Sequence, residues 1–319
     1  MNDTIYDVII IGSGPAGLSA GIYSGRSRLS TLVIEKSKAG GQAAITSDIE
    51  NYPGSEEEET GPKLIAKMVK QAERFGVQRV TDEVTAVELS GNIKSVTGKK
   101  AEYRAKAVII ASGAMPKLIG CPGEDEFTGK GVSYCATCDG AFFEEMEVFV
   151  VGAGDSAIQE ALYLTRFARK VTVIYRRSRE EMRAAKSLLQ KAFENPKFSF
   201  VFHSVVEELR GETGILDTII IKNTQTGERT EFNADPEDGT FGLFVFVGFV
   251  PHTEIFKGKV NMEGDYILAD ENMNTNIPGV FAAGDCRAKM LRQVVTAAAD
   301  GAIAAVSAEK YIEHIPGGN

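Results

Sequence analysis

Residues 6–17 read YDVIIIGSGPAG, and this stretch decides the fold. Its β-branched opening predicts a strand, its glycines predict a tight turn, and the apolar spacing of residues 18–23 predicts a helix. A second apolar run over residues 31–34 is followed directly by Glu35. This order predicts a βαβ unit of the kind that binds a dinucleotide, with a glycine turn after the first strand and an acid after the second.

The glycines and the acid of this unit have separate roles. Gly12 permits the tight turn, Gly14 lets the backbone approach a pyrophosphate, and Gly17 lets the helix pack closely on the strand. Glu35 can accept hydrogen bonds from ribose hydroxyls, which favours an unphosphorylated ribose and therefore FAD or NAD. The predicted cofactor-binding residues of this unit are Gly12, Gly14, Pro15, Ala16, Gly17, Glu35 and Lys36.

The same pattern returns in the middle of the chain. A strand over residues 147–151 leads into a second glycine turn, a helix that extends through Phe167, and a strand over residues 170–174. Where the first copy has an acid, this copy has an arginine pair, which suits a ribose 2′-phosphate and predicts NADPH; a solvated strand end is the alternative. The predicted residues are Gly152, Gly154, Asp155, Ser156, Ala157, Arg176 and Arg177.

Two dinucleotide sites with different preferences predict hydride transfer between a nicotinamide and a flavin. The C-terminal part supports a flavoenzyme, because residues 279–284 read as a buried strand that ends at Asp285. There a carboxylate can hold a ribityl hydroxyl, although a plain turn acid is the alternative. Next, Arg292 and Gln293 open an Ala-rich helix, Val294 to Tyr311, whose N-terminus can face a phosphate or the flavin.

The order of these parts predicts an α/β fold with two Rossmann-like dinucleotide-binding domains. Residues 1–117 and 246–319 form a discontinuous FAD-binding domain, and residues 118–245 form an inserted NADPH-binding domain that carries a cysteine pair. The crossings fall within residues 116–123 and 246–251, where hinges would permit the domains to rotate as bodies.

Composition excludes several other classes of protein. The 319-residue chain has a net charge of −9 and no basic run longer than Arg176-Arg177, so we expect no nucleic-acid partner. The start has no basic segment, and no apolar stretch approaches the roughly 18 residues that span a bilayer. We therefore expect a cytoplasmic protein without a membrane partner. Four cysteines are too few for a disulfide scaffold.

The spacing of Cys135 and Cys138 allows a redox disulfide, half of a zinc site, or two inert thiols. Zinc is disfavoured because Cys121 and Cys286 are single and the three histidines have no ligand spacing, so no metal site is predicted. Two inert thiols remain an alternative, but a redox disulfide suits a chain equipped with NADPH and flavin. Asp139 is either a proton donor to a departing thiolate or the N-cap of a short helix.

In this combination of motifs the chain resembles the low-molecular-weight thioredoxin reductase family, essentially from end to end. The similar segments are the turn at 12–17, Gly40-Gly41-Gln42, Glu50-Asn51-Tyr52-Pro53-Gly54, Ala111-Ser112-Gly113-Ala114, Cys135-Ala-Thr-Cys138-Asp139, the turn at 152–157, Gly284-Asp285, and Arg292-Gln293-Val294. By this resemblance Gly41, Gln42, Asn51, Ala111, Gly113, Gly284, Asp285, Arg292, Gln293 and Val294 also belong to the cofactor site.

The resemblance implies a homodimer in which NADPH reduces FAD and FAD reduces the Cys135–Cys138 disulfide. The resulting dithiol reduces thioredoxin after the domains rotate. By the same resemblance Cys138 is the flavin-proximal thiol, Cys135 attacks the disulfide of thioredoxin, and Asp139 handles protons.

One segment departs from the family pattern and leaves the electron donor open. The family has His-Arg-Arg and, four residues after the second arginine, another arginine. This chain has Tyr175-Arg176-Arg177, so the histidine is replaced. The next arginine of the pattern is Arg183, two residues later than in the family, and Arg179 is another candidate. NADPH remains the predicted donor because both glycine-turn and arginine residues are present. NADH, reduced ferredoxin or a deazaflavin is the alternative.

Three other classes of protein fit less well. A flavin-dependent ferredoxin–NADP reductase of similar shape lacks the cysteine pair. The flavoprotein subunit of a peroxide-reducing system would carry an N-terminal thioredoxin-like module, for which a first strand at Tyr6 leaves no room. A redox sensor or regulator would need an effector segment, and none is visible.

Overall fold

The computed structural model describes residues 4–46, 49 and 51–315. The chain divides into two compact units, which are Met1–Met115 with Val250–Asn319, and Pro116–Phe249. The helices are α1 Pro15–Arg26, α2 Gly61–Arg74, α3 Glu124–Phe127, α4 Ala136–Asp139, α5 Asp155–Leu164, α6 Lys186–Glu194 and α7 Val294–Glu313. Short 3-10 helices lie at Gly41–Ile45, Gly140–Phe143, Arg179–Glu181, Glu254–Phe256 and Gly284–Cys286.

The strands, numbered in chain order, are β1 Ile5–Ile11, β2 Thr31–Glu35, β3 Gln78–Thr81, β4 Val84–Glu88, β5 Lys94–Gly98, β6 Glu102–Ile110, β7 Ala114–Pro116, β8 Val132–Ser133, β9 Glu147–Val151, β10 Lys170–Ile174, β11 Phe198–Val201, β12 Ser204–Arg210, β13 Thr218–Asn223, β14 Arg229–Asn233, β15 Gly242–Val245, β16 Phe249–Pro251, β17 Met262–Glu263, β18 Tyr266–Ile267 and β19 Val280–Ala282.

The first unit is built on a seven-stranded sheet in the order β3-β2-β1-β6-β5-β4, with β19 also paired to β6. Strands β3, β2, β1, β6 and β19 are parallel, whereas β5 and β4 continue the sheet in antiparallel fashion. Ile11 lies opposite both Ile34 and Ile110, and Ile110 lies opposite Ala282. Four parallel strands therefore end together at one edge of the sheet.

Both faces of this sheet are buried, which explains the continuous apolar run of β1. Val8 and Ile10 face a cluster that includes Ala304 and Ala308 of α7. The alternate residue Ile9 faces an opposite cluster that includes Phe256.

Helices α1 and α7 pack with their backbones in close contact on the first face. A Cβ atom at Gly301 would lie 2.0 Å from the carbonyl oxygen of Ala16, so this position of α7 accepts no side chain. The Ser19 hydroxyl also donates to the carbonyl oxygen of Ala298 at 2.6 Å. These contacts fix the N-terminal half of α7 against the helix that follows the first glycine turn.

The second unit repeats the parallel arrangement in the order β11-β10-β9-β15-β8 and adds a three-stranded antiparallel sheet, β12-β13-β14. Val151 lies opposite both Ile174 and Val245, so β9, β10 and β15 end at one edge. The connecting strands β7 and β16 pair with each other. The predicted α/β fold class is confirmed.

Helix α5 ends at Leu164, three residues before the predicted end. The Thr165 hydroxyl donates to the carbonyl oxygen of Leu162 at 2.7 Å, and the Arg166 amide donates to the carbonyl oxygen of Tyr163 at 3.1 Å. These bonds to the third residue back replace the α-helical pattern and end the helix.

Among the described residues, no helix is both long and apolar enough to cross a membrane.

Candidate functional site

The first glycine turn leaves the carboxyl edge of the first sheet with no room for side chains at two positions. Gly12 has a φ of +105°, and a Cβ atom there would lie 2.3 Å from the carbonyl oxygen of Ala111. A Cβ atom at Gly17 would lie 1.9 Å from the carbonyl oxygen of Gly12. At Gly14 the nearest atom would be 3.9 Å away, so the space beside the start of α1 is open to a ligand.

The acid predicted to bind ribose is held by the turn itself. The amide and the hydroxyl of Ser13 both donate to Oε2 of Glu35 at 2.9 Å. Oε1 accepts only a longer bond of 3.3 Å from the amide of Ser37. Ser13, Glu35 and Ser37 border a cavity of about 110 Å³ that is also lined by Arg79 and Thr81. Glu35 is therefore fixed in orientation, with one oxygen more available to a ligand.

The loop predicted to contact the flavin lies beside this turn. The Gly40 amide donates to the carbonyl oxygen of Ser13 at 2.8 Å, and a Cβ atom at Gly41 would lie 3.7 Å from Cα of Gly14. Gln42, the next residue, is exposed. Lys36 is also exposed, just past β2, and Glu50 of the ENYPG motif lies outside the described residues.

Two predicted residues that are far apart in sequence meet at the start of α7. Nδ2 of Asn51 donates to Oε1 of Gln293 at 3.2 Å. Gln293 caps α7, and Val294, the first residue of that helix, packs on a small core that includes Ala43 and Leu64. The ENYPG loop and the N-terminus of α7 are thus neighbours.

The Ala111–Gly113 segment follows directly from β6. The Ala111 amide donates to the carbonyl oxygen of Ile11 at 2.9 Å, which extends the parallel ladder. The Ser112 hydroxyl is buried and has no hydrogen-bond partner among the described residues. Gly113 has a φ of +71°, and its carbonyl oxygen accepts from the amide of His252 at 3.0 Å.

The Gly284–Asp285 turn is organised by Asp300 of α7. Gly284 has a φ of +77°, and its amide donates to Oδ2 of Asp300 at 3.0 Å. Asp300 is buried and also accepts from Arg287 at 3.2 Å and Lys289 at 2.7 Å. A buried carboxylate with two cations and a backbone amide is well compensated, so the turn is rigid.

Asp285 and Arg292 have polar atoms without partners. Oδ1 of Asp285 and Nε of Arg292 are both buried and have no hydrogen-bond partner among the described residues. Burial raises the pKa of Asp285, although Lys289 and Arg292 act in the opposite direction. The Arg292 guanidinium also lies 4.2 Å from the ring centroid of Tyr266.

These features fit a large polar ligand such as FAD. Buried polar atoms without partners are rare in proteins and indicate a missing hydrogen-bonding group. Here Ser112 and Asp285 follow two strands that end at the same sheet edge, and both carry such an atom. The open side of Gly14 lies after a third strand at that edge.

The second glycine turn has the same construction. Gly152 has a φ of +130°, and a Cβ atom there would lie 2.4 Å from the carbonyl oxygen of Phe246. A Cβ atom at Gly154 would have no neighbour within 4 Å, so the start of α5 is open. Ala157 is buried, and Ser156 is exposed. The Asp155 carboxylate accepts from the amide of Ala185 at 2.7 Å.

The arginines that follow β10 lie near this turn. Arg176 is exposed, and among the described residues the Arg177 guanidinium makes only a 3.5 Å ion pair with Glu181, in which the two side chains are 41% and 51% exposed. Such a pair contributes little stability and leaves the guanidinium available. The amide of Arg183 donates to the carbonyl oxygen of Ala153 at 3.1 Å, which brings Arg183 to the turn. By contrast, Arg179 lies over the ring of Phe193 at 3.8 Å.

Tyr175, the departure from the family pattern, is a packing residue. Its ring is buried, and its hydroxyl donates to the carbonyl oxygen of Glu181 at 2.8 Å. It therefore holds the loop between Arg177 and Arg183 instead of occupying the surface that the arginines line.

Cys135 and Cys138 form a disulfide with a Cα–Cα distance of 5.3 Å. Cys135 is the residue directly before α4, Cys138 lies within that helix, and both are partly exposed. Sγ of Cys135 also lies 3.4 Å from the hydroxyl of Thr137. The disulfide is therefore accessible to a reductant.

Asp139 faces a buried serine and does not cap the next helix. It occupies the N-cap position of the 3-10 helix Gly140–Phe143, but its described contacts include no capping bond. Instead, Oδ2 accepts from the Ser133 hydroxyl at 2.6 Å. Burial raises the pKa of Asp139 and the bond from Ser133 acts in the opposite direction. Of the two alternatives, the geometry favours a proton donor.

The other cysteines are unsuited to redox chemistry. Cys286 is completely buried, and burial raises its pKa. Burial also raises the pKa of Cys121 to about 11. Thiols of this kind form little thiolate and are poor nucleophiles.

Sequence reasoning missed Ser13, Ser133 and Asp300. Ser13 and Ser133 lie next to predicted site residues, but a serine beside a motif carries no distinctive pattern. Asp300 had a usable signal, because it is the only charged residue between Val294 and Ser307 of an otherwise apolar helix.

Two glycine turns of the dinucleotide type and one accessible Cys-x-x-Cys disulfide define a flavin-dependent pyridine nucleotide–disulfide oxidoreductase. Comparisons agree with this class. Residues 6–301 match the family described as pyridine nucleotide-disulphide oxidoreductase.

Relatives and solved structures narrow the class. The chain is 58% identical over 312 residues to a thioredoxin reductase of Peptoclostridium acidaminophilum, covering 98% of both chains. It is 47% identical to the thioredoxin reductase of Bacillus subtilis over 98% of this chain and 96% of the relative. The crystal structure of thioredoxin reductase from Streptococcus pyogenes matches with a TM-score of 0.92 and 44% identity, covering 98% of this chain and 100% of that one.

The chain belongs to the pyridine nucleotide-disulphide oxidoreductase family and, within it, to the thioredoxin reductases. This membership confirms the resemblance and the prediction of an oxidoreductase that uses FAD and NADPH.

The Glu35 geometry gives a test of the FAD site. Glu35→Arg removes the acceptor that Ser13 orients and places a cation there, so we expect FAD affinity to fall about tenfold or more. Glu313→Arg, the same charge change on an exposed residue of α7, is the control. FAD content after purification and gel filtration measures the effect, and a Glu35→Arg protein that keeps one FAD per chain contradicts it.

Proposed function

We propose that this chain is a thioredoxin-disulfide reductase that passes electrons from NADPH through FAD and the Cys135–Cys138 disulfide to thioredoxin. The observation that carries the proposal is the accessible disulfide beside a partly buried acid, Asp139, in a chain with two dinucleotide turns of opposite ribose chemistry. Thioredoxin enters as substrate because relatives that are 58% and 47% identical to this chain are thioredoxin reductases.

FAD supplies electron-pair transfer between a nicotinamide and a disulfide. The residues that would hold it are those of the first glycine turn, with Glu35 for a ribose and Asp285 for a ribityl hydroxyl. Asn51, Gln293 and Arg292 would complete the site. The support is the set of buried polar atoms without partners and the open face at Gly14.

NADPH would bind at the second turn. The open space at Gly154 would receive the pyrophosphate, and Arg176 and Arg177 would hold the 2′-phosphate. Tyr175 is buried, so the change from the family pattern leaves the exposed arginines in place. For this reason NADPH is preferred over NADH, ferredoxin or a deazaflavin.

The disulfide would then act by thiol–disulfide exchange. The Cys135 thiolate attacks a sulfur of thioredoxin and forms a mixed disulfide, which releases one thioredoxin thiolate. The Cys138 thiolate attacks Sγ of Cys135, reforms the Cys135–Cys138 bond and releases the second thioredoxin sulfur. Two electrons leave the enzyme dithiol and reduce one disulfide of thioredoxin.

The assignment of domains is part of this proposal. Residues 1–117 with 246–319 would form the FAD-binding domain, and residues 118–245 would form the NADPH-binding domain. The division of the chain near residues 115 and 250 supports these limits. We also propose that the protein is cytoplasmic, since its composition and the NADPH-dependent chemistry suit that compartment; fractionation of cells with antibody detection measures this.

Replacement of either cysteine separates the two halves of the reaction. Cys135→Ser and Cys138→Ser should each abolish NADPH-driven reduction of thioredoxin, because exchange requires both sulfurs. Each variant should still transfer electrons from NADPH to a dye through the flavin, since the disulfide acts later. Cys121→Ser is the matched control and should keep thioredoxin reduction. A Cys135 or Cys138 variant with more than a tenth of the normal rate contradicts the proposal.

The arginine pair gives a test of the donor. Each charged hydrogen bond to the 2′-phosphate should contribute about 1.5–3 kcal/mol, so Arg176→Ala with Arg177→Ala should lower kcat/KM for NADPH by roughly two orders of magnitude or more. NADH lacks that phosphate and should react almost as before. Anaerobic flavin reduction without thioredoxin is the measurement, and Arg166→Ala is the control. Faster reduction of the unaltered protein by NADH would overturn the donor assignment.

A homodimer is the remaining part of the proposal. Tyr23 of α1 and Ile303 and Val306 of α7 are apolar yet about 40% exposed on helices that pack together, which suits a self-association face. Sedimentation should give twice the 34.4 kDa chain mass. Ile303→Glu with Val306→Glu should shift the mass towards one chain, whereas Lys310→Glu should not. A wild-type mass of one chain at micromolar concentration would exclude the dimer.

A further inference from the structure

Ser133 connects the disulfide to its acid. Its hydroxyl donates to Oδ2 of Asp139 at 2.6 Å and accepts from the amide of Cys135 at 3.1 Å. The carbonyl oxygen of Cys135, at 3.4 Å, is a longer and weaker alternative acceptor. One hydroxyl therefore uses both its donor and an acceptor site within the active-site segment.

The position of Ser133 is fixed by the sheet. It is the last residue of β8, lies opposite Phe244 of β15, and is 5% exposed. A buried hydroxyl at a strand end needs partners, and both partners found here belong to the redox segment. The hydroxyl is thus anchored at the end of a strand in the core of the unit.

The Ser133 hydroxyl is the polar group that hydrogen-bonds the Asp139 carboxyl and lowers its pKa. Among the described residues, burial and the Ser133 hydroxyl are the two influences on its pKa, and no neighbouring charge contributes. Helix α5, which packs on α4, carries Glu160, whose own pKa is raised by burial. Glu160 is itself an acid and cannot compensate the negative charge of an Asp139 carboxylate, so the Ser133 hydroxyl is the polar partner of this group.

We propose that Ser133 is a positioning residue for proton transfer at the disulfide, holding the Asp139 carboxyl in fixed register with the backbone of Cys135. This role rests on the proposed function, since it requires Asp139 to supply a proton when the disulfide is reduced.

The Cys135–Cys138 bond accepts two electrons that originate from NADPH and breaks, leaving two thiolates. One sulfur takes the proton of the Asp139 carboxyl and becomes a thiol, and the other stays a thiolate. Asp139 becomes a carboxylate, whose new charge is stabilised by the short bond from Ser133, and it regains a proton from solvent.

Loss of the hydroxyl should have two separable effects. Without the bond the carboxyl is less well placed, so reduction of the disulfide should slow about tenfold or more. The bond stabilises the charged form, so its loss should raise the pKa of Asp139 further. The decline of the rate at high pH should then begin at a higher pH than in the unaltered protein.

The experiment is anaerobic stopped-flow reduction of the FAD-loaded enzyme by NADPH between pH 6 and 9. The measured rate is that of electron transfer from reduced flavin to the disulfide, followed by flavin absorbance and by thiols released. Ser133→Ala should be slow with the shifted pH profile. Ser133→Thr should restore the rate, whereas Ser133→Val, of nearly the same shape as threonine, should not. Ser204→Ala removes another buried hydroxyl of the same unit and should leave the rate unchanged.

A double variant of Ser133 and Asp139 separates a failure of this proposal from a failure of the proposed function. In an Asp139→Asn background, Ser133→Ala should cause no further slowing. Additive slowing, an unshifted pH profile, or equal rates for the threonine and valine variants would overturn the role of Ser133. If Asp139→Asn alone keeps the full rate, the acid assigned under the proposed function fails instead. Should the alanine variant fold poorly, the threonine and valine pair still decides the question.

Discussion

The backbone of Gly12 lies so close to Ala111, and that of Gly17 so close to Gly12, that neither glycine can carry a side chain, and the first unit is organised around these two contacts. A Cβ atom at Gly17 would overlap the carbonyl oxygen of Gly12, so α1 begins directly against the end of β1. Helix α7 packs on α1 with a similarly close contact at Gly301. Gln293, at the start of α7, accepts from Asn51, and Asp300 of the same helix fixes the turn at Gly284. Segments from both ends of the chain are thus brought together by close contacts at positions where only glycine fits.

The glycine turn of the second unit is held by hydrogen bonds that correspond to those of the first. The amide of Gly12 donates to the carbonyl oxygen of Ile34, and the amide of Gly152 donates to that of Ile174. In each unit the carbonyl oxygen one residue later accepts from a loop that follows the second strand, from Gly40 in one and Arg183 in the other. The units diverge where the ribose would lie. The first places a carboxylate held by Ser13 there, and the second places guanidinium groups.

Local sequence patterns predicted the fold class, both glycine turns and the disulfide, because each of these features depends on residues within a short segment. A positive φ, a close approach or a Cys-x-x-Cys spacing needs no knowledge of distant residues. The contacts of Asp300 and the pairing of Asn51 with Gln293 depend on strand register and helix packing, which sequence spacing does not encode. The role of Tyr175 was likewise hidden, since burial and not residue type decides whether it meets a ligand. Which residues bind the cofactors stays a prediction, because contacts with a ligand are what would test it.

The cysteines show how one residue type is given different chemistry by placement alone. Complete burial keeps Cys286 a thiol, because a thiolate there would have no solvation. Cys138 instead lies in the four-residue helix α4 and Cys135 directly before it, and both are partly exposed. The end of β8 supplies Ser133, which donates to the partly buried carboxyl of Asp139. Burial raises the pKa of Asp139, and the bond from a single hydroxyl, that of Ser133, acts in the opposite direction. Both influences bear on the proton transfer proposed for this carboxyl, which would give up its proton during disulfide reduction and take one back from solvent.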